Sequence, residues 1–360
     1  MKICVVGAGS IGGLMGVRLS QAGHEVTLIA RGAHLDAIRQ NGLRLIMNDG
    51  SEHVARDVKA TDTIAEAGVQ DLVILGLKAH QIEAVAPQLG ALFGPGTVVL
   101  TTQNGIPWWY FQKHGGPHEG YRIRMVDPDG VIGAHIEPER IVGCIAYPAA
   151  EISEPGVIRH VEGMRFPVGE PDGSDSERVR AIAEALTGAG FKAPVLEDFR
   201  SELWLKLWGN LSFNPISALT HATLLDICQF PLSRQLAADM MTEAQTIAHK
   251  LGVSFRVPLE KRIQGAEKVG RHKTSMLQDV EAGKGMEIDS MIGAVAELGR
   301  LTETPTPAIN AVYACVSLLD RVMREENARI VAEPLQPPAP VTAPAPAPAP
   351  AARPLSAVDS

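Results

Sequence analysis

The sequence predicts an α/β fold with three parts. These are a doubly wound parallel-sheet domain over residues 1–197, an all-helical domain over 198–330, and a disordered Pro/Ala-rich tail over 331–360. Three observations carry this. Up to about Glu197, short β-rich runs alternate with helical stretches and Gly/Pro turns, the pattern of βαβ units. From Asp198 onward the strand signal vanishes and long amphipathic patterns dominate. From Glu333 the chain reads EPLQPPAPVTAPAPAPAPAARPL without an apolar period, a polyproline-II-like composition that cannot bury enough surface to offset its ordering entropy. A ligand for an SH3-type partner is the functional alternative for that tail.

The expected strands are Lys2–Val6, Glu25–Ile29, Leu72–Leu77, Thr97–Thr102 and Ile141–Tyr147. The unbroken apolar run Leu72-Val73-Ile74-Leu75 suits a strand buried on both faces. Gly156–Val161 and Arg165–Gly169 read as strands of an antiparallel extension. Leu232–Leu251 and Thr306–Glu325 are the clearest helices. Between the strands near Thr102 and Ile141, the stretch Lys113–Asp129 fits no regular element and reads as an inserted loop or hairpin. The cluster Trp108-Trp109-Tyr110-Phe111 before it either covers an active site or anchors the insertion or an oligomer contact.

Composition narrows the function. The 360 residues are 45% hydrophobic and 21% charged, with a formal charge of −8. That balance disfavours binding to nucleic acid, which needs a basic face. No apolar run reaches the ~18–20 residues of a membrane span, so no membrane role is expected. The amino terminus does not read as a signal peptide. The four cysteines, Cys4, Cys144, Cys228 and Cys315, are widely spaced. They suit a reducing, cytoplasmic setting as buried apolar residues, with no metal expected.

Gly7-Ala8-Gly9-Ser10-Ile11-Gly12 is a G-x-G-x-x-G run placed directly after the first strand and opening a helical pattern. In such a unit the first glycine makes the turn, the second admits a pyrophosphate and the third allows close helix–strand packing. The diphosphate rests on free N–H groups at the helix start. The expected ligand is a dinucleotide held in a Rossmann-type domain. The second strand ends in Ile29-Ala30-Arg31-Gly32, without the acid that usually binds a ribose 2′-hydroxyl. A guanidinium at Arg31 suits a 2′-phosphate, so NADP(H) is expected over NAD(H). Lys78, after the strand Leu72–Leu77, adds a second positive charge or is merely solvated.

In S-E-L-W-L-K-L-W-G-N-L-S-F-N-P (201–215), Lys206, Asn210 and Asn214 are four residues apart and share one helix face amid apolar neighbours. Either this is a solvent face or a polar stripe aimed at a ligand; asparagine, a mediocre helix former, argues for the ligand. Ser275 lies where a helix begins and reads as its N-cap, and Glu287 opens the next helical pattern.

Five motifs together resemble the ketopantoate reductase family: GAGSIGG at 7–13, LKAHQ at 77–81, QNG at 103–105, K-L-x-x-N-x-x-x-N-P at 206–215, and SMLQDV…EID within 275–289. The resemblance implies a Rossmann domain joined to an all-helical domain, with the active site in the cleft. It also implies an NADPH-dependent reductase of a 2-oxo acid, most naturally 2-dehydropantoate giving (R)-pantoate for pantothenate synthesis. By resemblance, Lys206 is the general acid and Glu287 orients the hydroxyl. Asn210 and Asn214 bind substrate oxygens, and Ser275 binds the substrate carboxylate. Asn104 lies by the nicotinamide ribose, Lys78 and Gln81 near the adenosine side, and Ala150 along the cofactor. The expected partner is a small-molecule 2-oxo acid, with a homodimer left open.

The sequence departs from the family in its longer aromatic insertion and in Met286 where many members have threonine. A third asparagine of some members, about ten residues past Asn214, falls here at Leu224. A paralogue acting on another 2-oxo or 2-hydroxy acid, a remoter opine-dehydrogenase-like enzyme, and a non-catalytic NADP(H) sensor are the alternatives. A sensor would have no use for Lys206 or Glu287.

Overall fold

A computed structural model describes residues 1–333. Of the tail expected over 331–360, only 331–333 fall within it, without helix or strand; the rest lies outside the described residues.

The chain begins β1 (Lys2–Val6), α1 (Ser10–Gln21), β2 (Glu25–Ile29), α2 (Gly32–Asn41), β3 (Leu43–Ile46), β4 (Glu52–Ala55), β5 (Lys59–Thr61) and β6 (Gln70–Leu75). It continues through α3 (Ile82–Val85), β7 (Phe93–Thr101), α4 (Val131–His135), β8 (Ile141–Cys144), β9 (Ala149–Glu154), β10 (Val157–Glu162), β11 (Val168–Gly169) and α5 (Glu177–Gly188). Seven strands form one sheet in the order β5-β2-β1-β6-β7-β8-β11, parallel except for β11 against β8. Chain order reverses between β1 and β6, and in a doubly wound sheet the crevice at that switch point, beyond the carboxyl ends of the strands, is where ligands sit. Val73, Ile74 and Leu75 of β6 are fully buried, as an apolar run covered on both faces requires.

The expected antiparallel extension holds for Arg165–Gly169, where β11 runs antiparallel to β8, and is corrected for Gly156–Val161. β10 belongs to a separate four-stranded sheet, β4-β3-β10-β9, pairing parallel to β3 and antiparallel to β9. α1 is packed between the two sheets, touching β1 and β2 on one side and β3, β4, β9 and β10 on the other.

The second part is helical: α6 (Phe199–Thr220), α7 (Leu224–Gln229), α8 (Pro231–Lys250), α9 (Leu259–Val269), α10 (Ser275–Ala282), α11 (Ala294–Leu301) and α12 (Pro307–Glu325). Asp198 caps α6 by accepting from the Ser201 amide. Most of α6 is buried, since α8, α10 and α12 pack around it.

The insertion is no hairpin. It is a series of turns ending in α4, with Asp127 accepting from the Ile132 and Gly133 amides. Its aromatic run does not cover a site. Trp109, Tyr110 and Phe111 are almost wholly inaccessible, and the Trp204 indole donates to the Tyr110 hydroxyl (2.7 Å). Buried aromatics with satisfied polar ends are anchors, here of the insertion onto α6. On its far side, buried Glu297 of α11 accepts from the Tyr121 hydroxyl and from the Arg124 and Met125 amides. Of the four cysteines three are buried, whereas Cys315 on α12 is exposed.

Candidate active site

The turn between β1 and α1 has the form a diphosphate needs. Gly7 adopts φ +97°, which side-chain-bearing residues rarely reach. A Cβ at Gly12 would overlap the Gly7 carbonyl, so only glycine lets α1 approach β1 this closely. A Cβ at Gly9 would meet nothing within 4 Å, so this face is open. Gly9 caps the helix without any side-chain hydrogen bond, leaving the leading amides around Ser10 and Ile11 to an anion. Ala8 is different: its amide is spent on the Ile29 carbonyl (2.9 Å) and its side chain is buried, so it shapes the turn. Arg31 is exposed at the N-terminus of α2, just beyond β2.

Facing this cradle is a cavity of about 350 Å³ lined by both parts of the molecule. Ile11, Asn104 and Ala150 come from the sheet part; Lys206, Asn210, Asn214 and Ser275 come from the helical part. The i, i+4, i+8 stripe of α6 therefore faces a cavity, and the solvent-face alternative is set aside. Ser275 is not the N-cap. Thr274 caps α10 by accepting from the Leu277 amide, which leaves the Ser275 hydroxyl, 3.4 Å from Asn214 Nδ2, to the cavity.

Lys206 is half-buried. Its ammonium donates to Asn104 Oδ1 (2.7 Å) and to the Ala146 carbonyl, and lies 5.7 Å from the centre of the Tyr147 ring. An ammonium has three N–H groups, so two acceptors leave one. Burial lowers its pKa to about 8, although the Glu287 carboxylate and Cys144 pull the other way. Glu287 stands just before a helical stretch whose first turn, Asp289–Gly293, is a π-helix, a distortion that recurs at functional sites. It accepts from Asn104 Nδ2 (3.1 Å) and from the Ala79 amide (3.1 Å). Asn104 thus joins the lysine to the glutamate.

Lys78 and Gln81 are both engaged with protein groups. The Lys78 ammonium pairs with Asp279 (2.7 Å) and donates to the Gly285 carbonyl (2.8 Å), tying the two parts together. The Gln81 oxygen accepts from the Lys78 amide. The cavity also holds residues the motifs do not point to, among them Tyr147, Glu162, Arg262 and His272. Arg262 sits in the ordinary-looking basic helix L-E-K-R-I-Q-G, where no local signal separates it from a solvated charge.

A dinucleotide cradle opposite a lysine- and amide-bearing helix defines a nicotinamide-dependent oxidoreductase. Comparison with known proteins narrows the class. Residues 3–173 match the family model "Ketopantoate reductase PanE/ApbA", and residues 198–320 match "Ketopantoate reductase PanE/ApbA C terminal". The 2-dehydropantoate 2-reductase of Mesorhizobium japonicum is 54% identical over 89% of this chain and 98% of its own. A provisionally named ketopantoate reductase of known structure from Ralstonia solanacearum is 39% identical with a TM-score of 0.85, covering 89% of this chain and 98% of that one. The 2-dehydropantoate 2-reductase structure from Geobacter metallireducens is 25% identical with a TM-score of 0.78, covering 89% of this chain and all of that one. The chain belongs to the ketopantoate reductase family.

Proposed function

We propose that this protein reduces 2-dehydropantoate to (R)-pantoate with NADPH. The supporting names are those of its relatives, chiefly the one 54% identical over 89% of this chain. The observation that carries the chemistry is the Lys206 ammonium: two of its N–H groups are held by Asn104 and Ala146, and one is left at the cavity. The open face at Gly9, the uncapped start of α1 and Arg31 fit NADP(H), which when bound supplies a hydride to the substrate's carbonyl carbon.

As that carbon accepts the hydride, the carbonyl π pair moves onto oxygen, and Lys206 gives this oxygen the proton that completes the alcohol. A pKa near 8 keeps most of the lysine protonated at neutrality while making it a far better donor than a free lysine. Asn210 and Asn214 bind substrate oxygens and Ser275 the carboxylate. Glu287, steadied by Ala79 and Asn104, orients the hydroxyl. Ser10, Ile11 and Gly12 amides receive the diphosphate, Asn104 and Ala150 border the nicotinamide end, and the domains divide near residue 197. The working partner is a small-molecule 2-oxo acid in the cytoplasm, with no role for nucleic acid.

Leu224 lines the cavity where some members carry an amide, which favours a second reading in which another 2-oxo acid is the preferred substrate. NADPH oxidation measured over a panel of 2-oxo acids, 2-dehydropantoate included, decides between them. The main reading expects the highest kcat/KM for 2-dehydropantoate. A hundredfold preference for another acid would replace it, and no turnover on any would leave a sensor.

A further inference from the structure

Arg262 on α9 is a charge in the cavity that nothing so far employs. It lines the space shared by Lys206, Asn210 and Asn214. Among the described residues its guanidinium makes no ion pair or hydrogen bond. Burial opposes that charge, and a cation taken from water without a partner is costly unless something else compensates.

The sequence of α6 makes room for it. A Cβ at Gly209 would overlap Arg262 Nη2 and lie 2.8 Å from Cζ, so the guanidinium rests on the bare backbone of α6. That position is one residue from Asn210 and three from Lys206, within the reactive stripe. Glycine in a helix interior costs about 0.5–1 kcal/mol relative to alanine, and here it gives the guanidinium its seat. Ion pairs among the described residues, such as Arg178–Glu170 or Arg234–Glu260, join protein groups to each other. Arg262 instead lines the cavity.

We infer that Arg262, seated on Gly209, is the charged anchor for the carboxylate of the substrate, a specificity-determining residue that limits this site to 2-oxo acids as anions. The inference rests on the reductase reading and deepens it: the serine hydroxyl of Ser275 gives direction, whereas the guanidinium supplies charge and a two-pronged fork matched to a carboxylate. The opposing charge on the cavity wall is Glu162, on the exposed end of β10.

The test compares 2-dehydropantoate with its methyl ester, which keeps the reacting carbonyl but lacks the charge. Wild-type enzyme is expected to favour the acid strongly. Arg262→Ala should raise KM for the acid ~30- to 1000-fold while changing kcat little, and should leave KM for the ester nearly as it was. Arg262→Lys should recover part of the loss. Gly209→Ala, which removes no charge and improves helix propensity, should also weaken the acid selectively by displacing the fork. Binding of oxamate, a non-reacting 2-oxo-acid mimic, to the NADPH-loaded enzyme by calorimetry should show the same loss without turnover. An unchanged acid-to-ester ratio and unchanged oxamate affinity in Arg262→Ala would overturn the inference while leaving the reductase reading intact. Absence of turnover on every 2-oxo acid in the wild type would instead strike the reductase reading, with oxamate binding still deciding the role of Arg262.

Discussion

Lys206 concentrates the chemistry in one side chain, and two effects set its protonation. Burial in the cavity wall disfavours its charge and Glu287 restores part of it, leaving the pKa at about 8. The sign of the pH dependence follows. Reduction needs the ammonium, so kcat for reduction should be level below pH 8 and fall as pH rises through it. Oxidation of the alcohol needs the neutral amine, so that rate should rise over the same interval. Opposed profiles from pH 6.5 to 9.5 are the expected result; parallel or flat ones would mean that another group moves the proton. Lys206→Ala should lower kcat by ~10²–10⁴, with NADPH affinity almost unchanged because the diphosphate cradle lies at α1. If that variant turned over at near wild-type rate, the stripe would have no catalytic part.

The element that carries Lys206, α6, is fixed one turn earlier by Glu202. Its buried carboxylate accepts from the Tyr147 hydroxyl (2.7 Å), Arg165 (2.6 Å) and Arg256 (2.5 Å). Burial by itself would raise its pKa, but the hydrogen bonds from Arg256, Arg165 and Tyr147 outweigh it and bring the value down to about 2. Folding therefore gains from Glu202 at every pH above the ordinary 4.5, and this gain is lost as pH falls towards 2. Both arginines reach solvent, which reduces the cost of losing a buried pair to roughly 2–3 kcal/mol for Glu202→Ala. Urea denaturation should show this at pH 7 and much less at pH 3; a loss below 0.5 kcal/mol at pH 7 would show that packing alone holds α6. Glu202 also marks the limit of what the sequence discloses. Lys206, Asn210 and Asn214 were legible because their relation is local, a fixed spacing on one helix. β1 and β2 were legible to the residue because each has an apolar run closed by a turn. Glu202 and Arg262 were not, since their partners come from 37 to 55 residues away and their own neighbourhoods look like ordinary charged helix. The strands β3, β4 and β5 were too short, at three or four residues, to show alternation. The cap of α10 moved by one residue because Thr274 and Ser275 are both competent caps, and only the backbone distinguishes them.

Across the whole molecule, the groups that make the site also join its two parts. Lys78 reaches Asp279 and Gly285, Asn104 reaches Glu287, and Glu287 receives the Ala79 amide. A cofactor entering beside α1 is therefore read by the stability of the entire fold, because a ligand that binds only the native state stabilises it by mass action. At one hundred times its Kd the gain is about 2.7 kcal/mol, whereas a ligand present only at its Kd contributes about 0.4 kcal/mol. Arg31, exposed at the start of α2 with no acid at the tip of β2, should separate NADPH from NADH by this measure. With both at the same concentration, one hundredfold above the Kd for NADPH, thermal unfolding should shift upward by several degrees with NADPH and barely with NADH. Arg31→Ala removes a charged hydrogen bond to the 2′-phosphate, worth ~1.5–3 kcal/mol. Half or more of the NADPH gain should then vanish, the two cofactors should act alike, and the unliganded melting temperature should stay the same because the residue is exposed. Equal shifts with NADH and NADPH in the wild type would remove Arg31 from cofactor selection, and the preference would then have to come from elsewhere in the cradle.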